Sequence, residues 1–452
     1  MKKYHPLITG TFILTLTGFA SRFIGFFYRI FLSQNFGEQN MGIYQLIYPA
    51  MGLAYAVSTS GVQTAISKYV ANETTTHDYK SSCQILLAGI SISLSLSLMC
   101  SILLYRYSME IATYALLESR CAPLLRLVAI SIPFGAIHAC INGYFYGIKD
   151  TKIPALTQFV EQTIRVSSVF FLYIYMEKHH IIPSITLSVI GIVLGELASL
   201  LISLIAIYIR FYRTKVTPFA YPLHTYLGAA SKIIPLAIPL SASHVIITLL
   251  QSIEASNIPH RLQMTGLSSN EALSIYGVLT GMALPLILFP CAITNSVSVL
   301  LLPMISEAQS NQQYTSIQRA IEQSIRYCLL LGFISTCGFF ITSNLLGEFL
   351  FHSTMASTFI KTLSFICPFL YLSSTLSSIL HGLGKTIPTF LFSVISLTIR
   401  VSFVFLLIPT FGIKAYLWGV LCSQIIQTML IYLALRYYVY YNRKGFFKLQ
   451  KN

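Results

Sequence analysis

Seven charged side chains lie inside long apolar stretches of the sequence, where a charge is costly and by default marks a functional site or an internal pair. They are Arg22, Arg29, Glu161, Arg165, Glu196, Glu254 and Arg400. Arginines in such a setting can bind phosphate groups through paired hydrogen bonds. Buried carboxylates can exchange a proton, bind Na⁺ or hold an arginine in place. These residue types predict a cationic substrate-binding cavity of the four arginines, with the three glutamates as coupling or cavity carboxylates.

Two pairs of these residues have helical spacing. Arg22 and Arg29 are seven residues apart, about two turns, so they share one face of a helix. Either arginine lines a cavity, or Arg29 extends its head group to the membrane interface. Glu161 and Arg165 are four residues apart, in the order that favours an ion pair within one helix. This pair either neutralises itself or contacts a substrate.

Other residue types give little sign of catalysis or metal binding. The nine cysteines are scattered without a CxxC pair, which is typical of small buried hydrophobic residues. Each histidine within an apolar stretch is interpreted as a packed, hydrogen-bonded residue, with a proton-transfer role as the alternative; they are His138, His244 and His381. The acids predicted outside the membrane are isolated, which argues against a membrane-bound glycosyltransferase or ligase. We therefore expect a protein that is not an enzyme and binds no metal.

The elements that hold these residues are predicted membrane spans. Hydrophobic residues make up 55% of the 452 residues and charged residues 10%, against about 25% charged residues in a soluble domain. A spanning helix needs about 20 mainly apolar residues. The sequence contains twelve such stretches: 7–32, 42–67, 82–105, 121–147, 153–176, 184–210, 230–256, 272–303, 318–343, 357–382, 387–409 and 413–438. This pattern predicts an all-α polytopic membrane protein with about twelve transmembrane helices.

The basic residues predict the orientation. With the N-terminus placed in the cytoplasm, most lysines and arginines of the loops and the C-terminal tail fall on the cytoplasmic side, as the positive-inside rule requires. We expect a multi-pass protein of the bacterial cytoplasmic membrane with both termini in the cytoplasm. The net charge of +15 is then explained by topology, and no nucleic-acid partner is expected.

An internal repeat relates the two halves of the chain. Residues 163–170 read TIRVSSVF and residues 398–405 read TIRVSFVF, with seven of eight positions identical at an offset of 235 residues. The same offset relates Gly147 to Gly382. Six predicted spans separate the copies, so the halves have the same orientation. This predicts two parallel six-helix lobes, formed by residues 1–215 and 216–452, as in transporters that work around a site at the membrane midplane.

The repeat also pairs Arg165 with Arg400. Four residues before Arg400 the sequence has Ser396 in place of a glutamate. The second arginine therefore has less local compensation for its charge, and we expect it to face a polar cavity.

Motifs along nearly the whole chain resemble the stage V sporulation protein B group. They include SRFIGFFYR at residues 21–29, GIYQLIYP at 42–49, LQSIE at 250–254, YGVLTGM at 276–282 and LPMISE at 302–307. That group belongs to the multidrug/oligosaccharidyl-lipid/polysaccharide (MOP) exporter superfamily and is related to the lipid II flippases.

The resemblance implies a V-shaped transporter of two six-helix lobes with a central cationic cavity and alternating access. It implies a substrate made of a polyprenyl diphosphate that carries sugars, and it matches Arg22 and Arg29 to cavity arginines of the lipid II flippases. We expect a flippase for such a lipid, in the bilayer, with polysaccharide or cell-wall synthesis enzymes as partners. No cofactor is expected besides a coupling ion, Na⁺ or H⁺. The alternative is a MATE-type cation-coupled multidrug exporter, although such exporters favour acidic cavities.

Overall fold

The computed structural model describes residues 6–75, 78–217 and 222–449, and these residues form helices joined by short turns. Within these ranges no strand is present, so the predicted all-α class is confirmed. The two termini, which we expect in the cytoplasm, lie outside the described residues.

Seventeen α-helices occur in the described residues. In chain order they are α1 (Pro6–Tyr55), α2 (Gly61–Thr75), α3 (Tyr79–Arg106), α4 (Ser108–Glu110), α5 (Ala122–Gly147), α6 (Lys152–Lys178), α7 (Thr186–Thr214), α8 (Leu223–Gln263), α9 (Ser269–Gly277), α10 (Leu284–Leu288), α11 (Cys291–Ser310), α12 (Tyr314–Asn344), α13 (Thr354–Leu363), α14 (Cys367–Gly382), α15 (Thr386–Leu406), α16 (Ile408–Phe411) and α17 (Ile413–Leu449). Short π-helical segments at Ala56–Ser60, Ile111–Ala115, Val278–Ala283 and Leu345–Leu350 continue some of them.

Nine helical stretches of the described chain are long and apolar enough to cross a membrane, judged by length and composition alone. They correspond to nine of the twelve predicted spans. The other three predictions, 7–32, 42–67 and 153–176, are helical as well, within α1, α2 and α6. Two of these three hold Arg22, Arg29, Glu161 and Arg165. The number of twelve spans stays a prediction.

Two predicted spans differ from the structure in their course. Helix α1 runs through the predicted loop after residue 32 and is broken only at Gly37, whose φ of 77° lies outside the helical region. Glycine adopts this conformation without the steric cost that a side chain would add. The predicted span 272–303 is divided into α9, α10 and α11, with Pro290 at the start of α11. Proline cannot donate the backbone hydrogen bond that would continue a helix.

The chain forms two compact units, Met1–Ser256 and Asn257–Asn452. Most of α8 belongs to the first unit, and its last turns begin the second. The first unit has a buried core in which residues of α2, α3, α5, α7 and α8 pack together. The predicted lobes 1–215 and 216–452 stay a prediction.

The sequence repeat recurs in the backbone. Helix α5 is followed by Lys149 in the left-handed conformation, with φ of 61°, and α14 is followed by Gly384 with φ of 71°. In each copy the next amide, of Asp150 or Lys385, donates to the carbonyl five residues earlier at 2.9 Å. These are Schellman-type helix ends. The offset of 235 residues found in the sequence thus relates two copies of the same turn.

The two repeat glycines make the same close helix contact. A Cβ atom at Gly147 would lie 2.8 Å from the Ser67 carbonyl oxygen, and one at Gly382 would lie 2.9 Å from the Leu302 carbonyl oxygen. Ser67 and Leu302 are also 235 residues apart. Small residues at such positions let two helix backbones approach within a membrane protein.

Gly147→Ala and Gly382→Ala are each expected to lower the free energy of unfolding by about 1–3 kcal/mol, because the added methyl group overpacks the contact. Thermal unfolding of the purified protein in detergent measures this. Gly228→Ala and Gly338→Ala are matched controls, since a Cβ atom at either glycine meets nothing within 4 Å. Equal stability of all four variants would contradict the close contact.

Candidate functional site

Helices α6 and α7 hold two of the predicted carboxylates near each other. A Cβ atom at Gly195 would lie 2.9 Å from the Glu161 carbonyl oxygen, and one at Gly191 would lie 2.9 Å from the Arg165 carbonyl oxygen. Gly191 and Gly195 are one turn apart, so one face of α7 approaches α6 closely. Glu196 follows Gly195 directly. This packing brings Glu161, Arg165 and Glu196 into one region of the first unit.

Glu161 and Arg165 form the ion pair that their spacing favours. Arg165 Nη2 donates a hydrogen bond to Glu161 Oε1 within α6. The two side chains are 16% and 19% exposed. Arg165 Nε is buried and has no hydrogen-bond partner. The guanidinium is therefore neutralised by its neighbour while one of its donors remains available.

Glu196 is held between two other helices. Tyr55 Oη, at the end of α1, donates to Glu196 Oε1 at 3.0 Å. His138 Nδ1, on α5, lies 3.5 Å from Glu196 Oε2. The Glu196 side chain is 9% exposed. Neither Oε2 nor His138 Nδ1 has a hydrogen-bond partner. The two atoms face each other at slightly more than hydrogen-bond distance, with room for one proton to bridge them.

These groups open onto a cavity of about 330 Å³ within the first unit. Its polar lining includes Tyr55, Gln63, His138, Glu196, His244 and Thr248, which come from α1, α2, α5, α7 and α8. Glu161 lies close enough to interact electrostatically with both Glu196 and His138. The ion pair of α6 and the cavity therefore form one electrostatic cluster. A carboxylate and two imidazoles line this cavity, whereas the sequence favoured a lining of arginines.

The two arginines of α1 lie elsewhere in the first unit. Arg22 is exposed and Arg29 is half-buried. Gly25, between them, packs on α6, where a Cβ atom would lie 3.2 Å from Gln162 Nε2. On a helical wheel both arginines lie within about 60° of Gly25, because successive residues are 100° apart. They therefore flank the contact between α1 and the helix that carries Arg165.

The remaining predicted residues are not part of the cavity lining. Glu254 is buried on α8, ten residues beyond His244. Arg400 belongs to the second unit, where its Nη2 donates to Tyr416 Oη at 3.4 Å. Ser396, which stands where the first copy has a glutamate, donates to the Ser423 carbonyl oxygen at 3.4 Å. The structure thus brings together Glu161, Arg165 and Glu196 and leaves the other four predicted residues apart from them.

Three lining residues were missed in the sequence, namely Tyr55, Gln63 and Thr248. Neutral polar side chains are frequent within the spans of this chain, so their residue type alone gave no signal. His138 and His244 were noticed as residues with a proton-transfer alternative. Their nearness to Glu196 depends on helix packing that sequence spacing does not reveal.

Comparison with known proteins yields related sequences and structures. The chain matches the family model of polysaccharide biosynthesis proteins over residues 7–309, and that of the lipid II flippase MurJ over residues 274–451. It is 27% identical to stage V sporulation protein B of Bacillus subtilis (strain 168) over 429 residues, which cover 94% of this chain and 83% of that protein.

Solved membrane transporters share the fold. The structure resembles the lipid II flippase MurJ in an inward closed conformation, with a TM-score of 0.72 and 15% identity, over 94% of this chain and 87% of that chain. It also resembles an inward-facing MATE family multidrug resistance transporter of the MOP superfamily. That similarity has a TM-score of 0.68 and 13% identity, over 94% of this chain and 96% of the other.

Proposed function

Because this chain belongs to the family of polysaccharide biosynthesis proteins, within the MOP exporter superfamily, we propose that it translocates a polyprenyl-diphosphate-linked saccharide across the bacterial cytoplasmic membrane by alternating access. At the level of the family, the similarity to lipid II flippase and stage V sporulation protein B sequences supports a flippase of lipid-linked precursors. Polysaccharide or cell-wall synthesis enzymes would supply the lipid on the cytoplasmic side, where we place both termini.

The observation that carries this proposal is the Arg165 guanidinium held inside the first unit. A diphosphate head group brings negative charge into a region of low dielectric, and it needs fixed cations and hydrogen-bond donors there. Arg165 offers the buried Nε, while Glu161 keeps the guanidinium neutralised when no substrate is bound. Arg22 and Arg29 flank the contact of α1 with the same helix. The polyprenyl tail can remain in the lipid throughout.

A multidrug exporter is the second candidate, and the cavity favours it. Glu196 places a carboxylate among neutral polar groups, which suits an organic cation. The MATE family structure shares the fold. A cation would bind beside Glu196, whereas a diphosphate would bind beside Arg165, so the two functions predict different substrates for the same unit.

Reconstitution of the full chain in liposomes tests the two functions side by side. One set of vesicles contains a fluorescent undecaprenyl-diphosphate disaccharide, and a membrane-impermeant quencher reports how fast the labelled head group moves between leaflets. A second set contains a trapped cationic dye whose release is followed. We expect accelerated lipid movement and no accelerated dye release relative to protein-free vesicles. Dye release without lipid movement would overturn the proposal in favour of the exporter.

A further inference from the structure

We propose that Glu196 and His138 form a proton-binding site in the cavity of the first unit, and that a proton bound there couples the transport cycle. The first part depends only on the structure. The second part rests on the proposed function, because it needs a substrate whose movement is driven.

The geometry leaves one place for a proton. Glu196 Oε1 already accepts the hydroxyl hydrogen of Tyr55, whereas Oε2 is unpartnered and faces His138 Nδ1 at 3.5 Å. Leaving a buried polar atom without a hydrogen bond costs about 1–3 kcal/mol. A single proton between Oε2 and Nδ1 satisfies both atoms at once. The site is therefore built from two groups that each lack the same missing hydrogen.

The surrounding charges make that proton the balancing charge of the cluster. The groups that face Glu196 from packed helices are Tyr55, His138, Glu161, Arg165 and His244. Glu161 and Arg165 neutralise each other within α6. Glu196 then has no permanent cation of its own, and a single ionised carboxylate is costly in a membrane interior. Uptake of one proton by Glu196 or His138 removes this charge.

The donor set favours a proton over Na⁺. A hard cation prefers a shell of oxygen ligands. The position opposite Oε2 is instead occupied by an imidazole nitrogen, and a second imidazole, of His244, lines the same cavity. Histidine changes its charge near neutral pH, which suits a site that must load and release a proton. The same residues that weaken a Na⁺ site therefore strengthen a proton site.

The site also contacts the helix that leads into the second unit. His244 and Thr248 of α8 line the cavity, and one turn earlier the Gly61 amide donates to Ser241 Oγ at 3.2 Å. Helix α8 continues past Ser256 into the second unit. A change of charge at Glu196 thus acts on the helix that joins the two units. In one cycle the site takes a proton from one aqueous side and releases the same proton to the other, and no other bond is made or broken.

Infrared spectroscopy of the full chain in substrate-free liposomes tests the proton site. Lowering the pH is expected to produce the carbonyl band of a buried protonated carboxylic acid in the wild type. Glu196→Gln is expected to lose that band, and His138→Gln to keep it with a displaced midpoint. Glu322→Gln is the matched control, because Glu322 is exposed and accepts a hydrogen bond from Gln318. A band that persists in Glu196→Gln, or that added Na⁺ removes, would overturn the site.

Translocation under an imposed pH gradient tests the coupling. One pH unit is a tenfold ratio of proton concentrations, so lipid movement in wild-type vesicles is expected to accelerate by up to about tenfold. Glu196→Gln is expected to show no acceleration, and Glu322→Gln the full effect. Lipid movement that ignores the gradient in the wild type would overturn the coupling while leaving the proposed function intact. Absence of any lipid movement, with the infrared band present, would instead overturn the proposed function and leave the proton site standing.

Discussion

Glu161→Gln is expected to lower the free energy of unfolding by about 3–5 kcal/mol, because it leaves the Arg165 guanidinium without its carboxylate in a poorly solvated region. The double substitution Glu161→Gln with Arg165→Gln removes both charges. It is expected to recover most of that loss, because neither polar amide carries a net charge. Thermal unfolding of the purified variants, arranged as a double-mutant cycle, measures the interaction.

The same variants separate a structural role of the ion pair from a functional one. Glu322→Gln, at an exposed position of α12, is the control for stability and should unfold like the wild type. The double variant is expected to be folded but inactive in lipid translocation. Wild-type translocation by the double variant would mean that the pair only neutralises itself. Wild-type stability of Glu161→Gln would contradict the buried ion pair.

Arg22→Ala and Arg400→Ala are each expected to reduce lipid translocation by about 10- to 100-fold while the protein remains in the membrane at wild-type levels. A hydrogen bond to a charged group contributes about 1.5–3 kcal/mol, and this range corresponds to such a reduction when a diphosphate contact is lost. Arg22 is exposed, so its removal disturbs little packing. Arg400 is half-buried and donates to the Tyr416 hydroxyl.

Arg213→Ala provides the matched control for these two variants. Arg213 is exposed near the end of α7, outside the predicted spans, and we expect its removal to leave translocation unchanged. Membrane levels are compared by quantitative immunoblotting, and translocation is measured in the reconstituted vesicles. Unchanged lipid movement in both Arg22→Ala and Arg400→Ala would contradict the assignment of these arginines to the substrate.

The helices were largely predictable because the bilayer fixes their length and hydrophobicity. The predicted span 387–409 corresponds to Thr386–Leu406, and the prediction 82–105 corresponds to Tyr79–Arg106. Hydropathy fails where the chain changes course without changing composition. It joined α9, α10 and α11 into one span, and it ended the first span near residue 32 although α1 continues. The repeat was predictable because intramembrane arginine is rare enough for a matching TIRVS stretch to be informative.

The candidate site was predictable only where it is local. Glu161 and Arg165 lie on one helix, so spacing alone indicated their ion pair. Tyr55 and Glu196 are 141 residues apart, and their hydrogen bond depends on how α1, α5 and α7 pack. The signals that position them are the small residues Gly191 and Gly195, which permit the close approach of α6 and α7. A sequence shows such glycines but not the helix that they face.

The preference for a diphosphate head group tests the proposed function most directly. Dissociation constants are measured for undecaprenyl-diphosphate disaccharide and for the corresponding monophosphate lipid, with the full chain in nanodiscs. The wild type is expected to bind the diphosphate lipid at least about tenfold more tightly, since one further charge-assisted hydrogen bond contributes at least 1.4 kcal/mol, or roughly tenfold. The double variant of Glu161 and Arg165 is expected to lose this preference. Equal affinity of the wild type for the two lipids would contradict recognition of the diphosphate by the intramembrane arginines.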